Sequence, residues 1–144
     1  MGSFATCKNE YSGMSNYLAD TTVVVDHLRG ARKATAFLEE FSPYISVVTL
    51  AELIQGSENK QDQTQAVKIC TTLPKLTIDK KISDSAIELM KKFWLSSGLR
   101  FLDAIIAATA LENKLTLVTG NLKHFRFIKG LIIASQKELL SASN

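Results

Sequence analysis

Three carboxylates stand where carboxylates are costly. Asp103 is the only charge in FLDAIIAATA (101–110), Asp20 ends the short apolar run SNYLAD (15–20), and Glu52 lies inside ISVVTLAELIQG (45–56). Most of the fourteen acidic residues sit in polar stretches such as LEEF, SENKQDQ and TIDKKISD; these three do not. An ionised carboxylate taken out of water costs several kcal/mol unless something pairs with it. Asn121, in TLVTGN (116–121), adds an amide oxygen in a similar setting, just beyond an apolar run. If such groups converge, like charges ~5 Å apart repel by about 3 kcal/mol per pair at an effective dielectric near 20. A divalent cation removes that cost, and oxygen-only donors select Mg²⁺ or Mn²⁺ over zinc. A site of that kind suits phosphoryl chemistry.

Each group also has a structural explanation. Asp20 suits a turn or a helix N-cap. Thr49-x-x-Glu52 reads as a capping box, in which the Glu reaches back to a backbone N–H. Asp103 near a helix start benefits from the macrodipole, and Asn121 after Gly120 suits a turn. Asp26, beside polar His27 in VVVDHL, is expected to face solvent. Competing chemistries lack their signatures: there is no GxxxxGK[ST] loop, no GxSxG elbow and no HExxH. DTTVVVD lacks the second Asp, two residues on, of aspartyl-phosphate phosphatases. His27 and His124 lie far apart and read as exposed polar residues rather than bases. Cys7 and Cys70 have no metal-like spacing with them, so reduced thiols in a cytoplasmic protein are expected over a single disulfide.

The elements that must position these groups follow from patterning. With 144 residues, 46% hydrophobic and 22% charged, the chain has the size and composition of one folded domain. Residues 1–13 lack periodicity and read as a loose N-terminal extension, with a single domain over 14–144. No apolar run is long enough for a transmembrane helix, and the start lacks the apolar core of a secretion signal. A net charge of +3 is compatible with a polyanion partner without demanding one. SNYLAD, YISVVT (44–49), KLTI (75–78), LTLV (115–118) and GLII (130–133) read as strands. Helices are expected over 21–30, with Thr22 a fair N-cap, over 31–41, over 50–56, and through the polar stretch to about 72. Residues 83–97 read as an amphipathic helix with Ala86, Ile87, Met90, Phe93 and Trp94 on one face, and 101–114 as a mostly buried helix. Strands alternating with helices predict a parallel sheet covered on both faces. In such sheets ligands collect at the carboxyl ends of strands, where Asp20 and Asn121 fall.

YLADTTVVVDHLRG, SVVTLAELIQG and GLRFLDAIIAATALENKLTLVTGNLKHFRFIKGLII together resemble PIN domains, specifically the VapC-type toxins of bacterial toxin–antitoxin pairs. The likeness runs from about residue 16 to 134; each motif alone is weak, and the three in order are specific. The resemblance implies a three-layer α/β/α sandwich around a central parallel sheet and a Mg²⁺- or Mn²⁺-dependent endoribonuclease. It places Asp20, Glu52 and Asp103 at the three main acidic positions and Asn121 at the fourth, which is Asp in some members. Thr119 matches a hydroxyl residue near the metal site. Thr22 stands where the family more often shows Asn or Ser, and His124 where Asp is common, so the number of metal ions is left open. The same resemblance implies a homodimer and a cognate antitoxin that covers the acidic site. Arg29, Arg32, Lys33, Arg100, Lys123 and Arg126 are candidates for RNA phosphate contacts. The rival readings are a PIN-like nuclease outside any toxin system, a degenerate PIN-like domain that binds nucleic acid or a protein without cutting, and a small fold whose oxygen-bound ions are purely structural.

Overall fold

The computed structural model describes residues 15–142. The expected extension over 1–13, and Cys7 within it, lie outside the described residues. Five short parallel strands form the middle layer. β1 (Tyr17–Ala19) pairs with β4 (Thr116–Val118), which pairs with β5 (Ile133–Ala134); β2 (Ile45–Ser46) pairs with β3 (Lys75–Leu76). A parallel bridge between Leu18 and Tyr44 joins the two ladders, with Ala19 N–H donating to the Tyr44 carbonyl and Tyr44 N–H to that of Tyr17, both at 2.9 Å. The spatial order is therefore β3-β2-β1-β4-β5. The chain builds outward from β1 in one direction, then returns to β4 on its other side. That reversal makes the β1/β4 boundary the place where a crevice opens above the strand ends.

Side chains alternate across the strands and so divide between two cores. Leu18, Tyr44 and Leu117 face a cluster with Ile82, Ala86 and Leu89; Ala19, Ile45 and Val118 face one with Val23, Phe37, Leu38 and Cys70. The first cluster belongs to α5 (Lys80–Ser97) and α6 (Phe101–Glu112). The second belongs to α1 (Thr21–Leu28), α2 (Arg32–Phe41) and α4 (Lys60–Thr71), while α3 (Val47–Gln55) contributes to both. A last helix, α7 (Gln136–Ala142), packs on α2. The expected α/β/α sandwich with a parallel sheet is the observed fold. In α6 every residue from Ala104 to Ala110 is buried, as a helix apolar on all sides must be.

Three local expectations are corrected. Residues 47–49 are helical, because Ser46 caps α3 by accepting the Val48 N–H at 3.0 Å and ends the strand early. The buried stripe of α5 is Ile82, Ala86 and Leu89 with Met90 and Phe93; Ile87 and Trp94 are about half exposed. The last strand begins at Ile133 rather than Gly130. Gly98 turns the chain from α5 into α6: at φ +68° it adopts a left-handed conformation, and the N–H groups of 98 and 99 return to the carbonyls of Trp94 and Phe93. That turn sets the start of α6, and hence where Asp103 stands.

Candidate active site

At the β1/β4 boundary an open cleft of about 530 Å³ is lined by Asp20, Glu52, Asp103 and Asn121, with Thr21, Thr22, Asp26, Arg29, Arg100 and His124 among its other walls. The structure thus brings together all four oxygen donors expected from the sequence. Side-chain capping explains neither Asp20 nor Glu52, whereas Asp103 does stand in the first turn of α6 and Asn121 does open a turn, as their structural explanations require. Asp20 occupies the N-cap of α1 but its side chain caps nothing. Thr49 lies inside α3, so no capping box forms, and Glu52 instead accepts a hydrogen bond from Thr21. Asn121 does not cap the single 3₁₀ turn Leu122–His124 that follows it. Thr22, expected as a cap, is helical, and its hydroxyl serves Asp20.

Asp20 is buried, and its Oδ2 accepts from the hydroxyls of Thr119 at 2.7 Å and Thr22 at 3.0 Å. Each hydroxyl has one proton and an ionised carboxylate can only accept, so both protons are committed to Oδ2. The two threonine oxygens in turn accept backbone N–H groups, Gly120 on Thr22 at 2.9 Å and Asn121 on Thr119 at 3.0 Å. The loop after β4 is thereby tied to the carboxylate after β1. Among the described residues Oδ1 receives no hydrogen bond, which leaves it the carboxylate oxygen of Asp20 open to a ligand in the cleft that Asp20 lines.

Glu52 is held differently. Thr21 donates to its Oε1 at 2.6 Å and lies 2.9 Å from the hydroxyl of fully buried Thr49. Since the one Thr21 proton goes to the carboxylate, Thr49 must donate to Thr21. Two hydroxyls in series therefore fix the rotamer of Glu52. Asp103 has less support: His124 Nδ1 lies 3.8 Å from its Oδ2, beyond hydrogen-bond distance. Desolvation raises its pKa above the ordinary carboxylate value, and the charges of Asp20 and, more weakly, Glu52 raise it further. His124 and Arg100 pull the other way.

Thr21 and Asp26 were not legible as site residues. Asp26 is half-buried and lines the cleft, correcting the expectation that it faces solvent. Helical spacing from Thr22 through Asp26 to Arg29 was the available signal, since all three share the cleft-facing side of α1. Of the cationic candidates, Arg29 and Arg100 line the cleft, and Lys123 joins Arg100 in a second cavity beside it. Arg32, Lys33 and Arg126 are exposed and line neither cavity.

A profile of the PIN domain matches residues 17–129, most of the chain. The chain belongs to the PIN domain family. Among solved structures, it is similar to a chain of a toxin–antitoxin complex from Klebsiella pneumoniae, at 28% identity and a TM-score of 0.70, over 83% of this chain and 97% of that one. A chain of DNA-bound VapBC from Salmonella typhimurium aligns at 21% identity and TM-score 0.74, covering 85% and 99%. A chain of VapBC2 from Rickettsia felis, bound to a promoter fragment, aligns at 25% and 0.71, covering 83% and 97%. These neighbours agree with the VapC-type PIN resemblance read from the sequence. Comparison with curated protein sequences gives no match.

Among the described residues, no three His, Cys, Asp or Glu side chains sit close enough together to enclose an ion by themselves. The donor residues Asp20, Glu52, Asp103 and Asn121 instead line one open cleft. That arrangement fits a cation that keeps much of its water and takes a few protein oxygens, as Mg²⁺ does, and not one that needs a closed cage. The residues present therefore suit the ion that the family implies. No helix of the described residues is long and apolar enough to cross a membrane.

Proposed function

We propose that this PIN domain is a VapC-type toxin, a Mg²⁺- or Mn²⁺-dependent endoribonuclease held inactive by a cognate antitoxin. The observation that carries the reading is the asymmetric engagement of Asp20, whose Oδ2 is saturated by two threonines while Oδ1 is left to a cleft that also holds Asp103 and Glu52. Asp20 and Asp103 would hold the ion, with the Asn121 oxygen contributing directly or through a water. Bound there, the ion supplies a water of lowered pKa and neutralises charge on the phosphate. Glu52, fixed by Thr21, orients or deprotonates the attacking water, or holds a second ion. Attack in line with the leaving 3′-oxygen gives a 5′-phosphate and a 3′-hydroxyl. Arg29 and Arg100 stand on the cleft wall to meet the RNA backbone. Single-stranded segments suit this open site best, since their backbone can bend into it.

The antitoxin reading rests on the three solved neighbours named above, each described as a toxin–antitoxin or VapBC assembly. A guanidinium placed among these carboxylates would satisfy the same charge as the metal. In a homodimer, the open apolar residues of α5, Ile87, Trp94 and Leu95, are where a second copy would bury most new surface. Incubating the antitoxin-free protein with mixed structured RNAs tests the central claim. Cutting is expected in Mg²⁺ or Mn²⁺, and is expected to vanish in EDTA and in Asp103→Asn. Intact, folded protein that binds these RNAs and cuts none of them would overturn the enzyme in favour of a binding domain.

A further inference from the structure

A second cavity of about 330 Å³ opens beside the first, and Arg100, Asp103 and His124 line both. Its remaining wall is Ser97, Gly98 and Leu99 at the end of α5, and Lys123 in the 3₁₀ turn. The two cavities differ in charge. The first has four acids, Asp20, Asp26, Glu52 and Asp103, against Arg29, Arg100 and His124. The second has one acid, Asp103, which it shares with the first, against the two permanent cations Arg100 and Lys123. One end of the trough is thus built for a cation, and the other for an anion joined to whatever sits at the first end. A phosphodiester chain has that form, with a phosphate at every step.

Resting on the nuclease reading for its direction, we propose that the second cavity seats the nucleotide next to the scissile phosphate. Lys123 and Arg100 hold that nucleotide's phosphate. The base lies against the Ser97–Gly98 turn, where the Ser97 hydroxyl, 3.3 Å from that of Ser96, offers a hydrogen-bond acceptor to an exocyclic amino group. A Cβ added at Gly98 would meet no atom within 4 Å, so the turn itself puts nothing in the way of a ring there. The six cationic candidates then divide by role. Arg29 and Arg100 serve the cut phosphate, Lys123 and Arg100 its neighbour, and Arg32, Lys33 and Arg126 neither.

The test has a binding arm that needs no cutting. Affinity for a fluorescein-labelled single-stranded RNA is measured in EDTA across a salt series, for the parent, Lys123→Gln and Lys137→Gln. Lys137 is exposed on α7 and lines neither cavity. Lys123→Gln is expected to bind several-fold more weakly, with a salt slope smaller by about 0.7, the value for one phosphate contact on a single strand. Lys137→Gln is expected to match the parent. Equal behaviour of the two variants, or no RNA binding by the parent, overturns the subsite. In the cutting arm, Lys123→Gln is expected to raise KM more than it lowers kcat; the reverse pattern also overturns it. A parent that cuts nothing while the binding arm comes out as expected removes the nuclease reading and leaves the subsite standing.

Discussion

Asp103→Asn is expected to stabilise the metal-free protein. Burial and the Asp20 carboxylate, then Glu52, push the Asp103 pKa up, so the folded chain holds its proton more tightly than the unfolded chain does. Below the unfolded value near 3.9 the group is protonated in both states and costs nothing. Stability is lost as pH rises from there through the folded pKa, and the full cost is present at neutral pH. Two unit charges ~7 Å apart repel by about 2 kcal/mol at an effective dielectric of 20. His124 and Arg100 offset part of this, and the Asp103 side chain is 28% exposed, so solvent screening takes more. A net gain of about 1 kcal/mol remains for the Asn variant. In a domain of this size that is a Tm rise of roughly 3–4 °C.

Thermal denaturation followed by circular dichroism, in EDTA, from acid to neutral pH, gives the comparison. The two proteins should melt together at the acid end and separate as pH rises, with the variant on top. Added Mn²⁺ should raise the parent's Tm by selective binding to the folded state and the variant's much less, closing or reversing the gap. A variant that melts below the parent at neutral pH in EDTA would show that Asp103 is paired rather than strained, and the metal argument built on its repulsion would fall.

Thr119→Val removes a donor from Asp20 and orphans the Asn121 N–H, so it should cost about 2–4 kcal/mol in urea unfolding, with Thr119→Ser restoring most of it. Full stability in the Val variant would mean that the Asp20 network does not hold the loop. Thr21→Val should lower kcat about tenfold, the equivalent of one charge-assisted hydrogen bond, while Thr21→Ser cuts like the parent. Equal rates for Val and Ser would remove Glu52 positioning from the mechanism. Mn²⁺ binding should release more protons as pH falls toward the raised Asp103 pKa, measured by titration calorimetry in buffers of different ionisation enthalpy. Release that does not change with pH, or that persists in Asp103→Asn, would place the ion elsewhere.

The fold class and the four oxygen donors were legible because both are written in local contrast. An Asp closing an apolar run, or alone inside one, is visible without coordinates, and so is the alternation of strand and helix. What was missed depends on facing elements. Val47–Thr49 have strand composition, yet the Ser46 cap starts a helix there, because a hydroxyl on a backbone N–H outweighs a weak β preference. Ile87 and Trp94 lie on an apolar arc of α5 wider than the surface that α6 and the sheet cover, so periodicity could not say which edge stays exposed. Thr21 is one of two adjacent threonines, and only the placement of α3 across from α1 tells which one meets Glu52 and which meets Asp20. Asp26 reads as solvated beside His27 until α1 is laid along the cleft, where it shares the face of Thr22.

That pair of threonines also explains why the three acids are not equivalent. Position 21 points its hydroxyl at the acid from α3, and position 22 points its own at the acid from β1, so one dipeptide at the start of α1 orients two carboxylates from different elements. Among the described residues the third acid has no such donor. Asp103 owes its place to the Gly98 turn and the buried helix behind it, which fix its backbone without satisfying its charge. A site fully satisfied by hydroxyls would gain little from a cation, since each lone pair would already have a partner. A site with no donors would scatter its carboxylates by repulsion. Two anchored acids facing one that is positioned but unsatisfied concentrate the electrostatic cost at a single residue. On the proposed metal-dependent reading, a cation entering the cleft would gain most of its affinity from relieving Asp103.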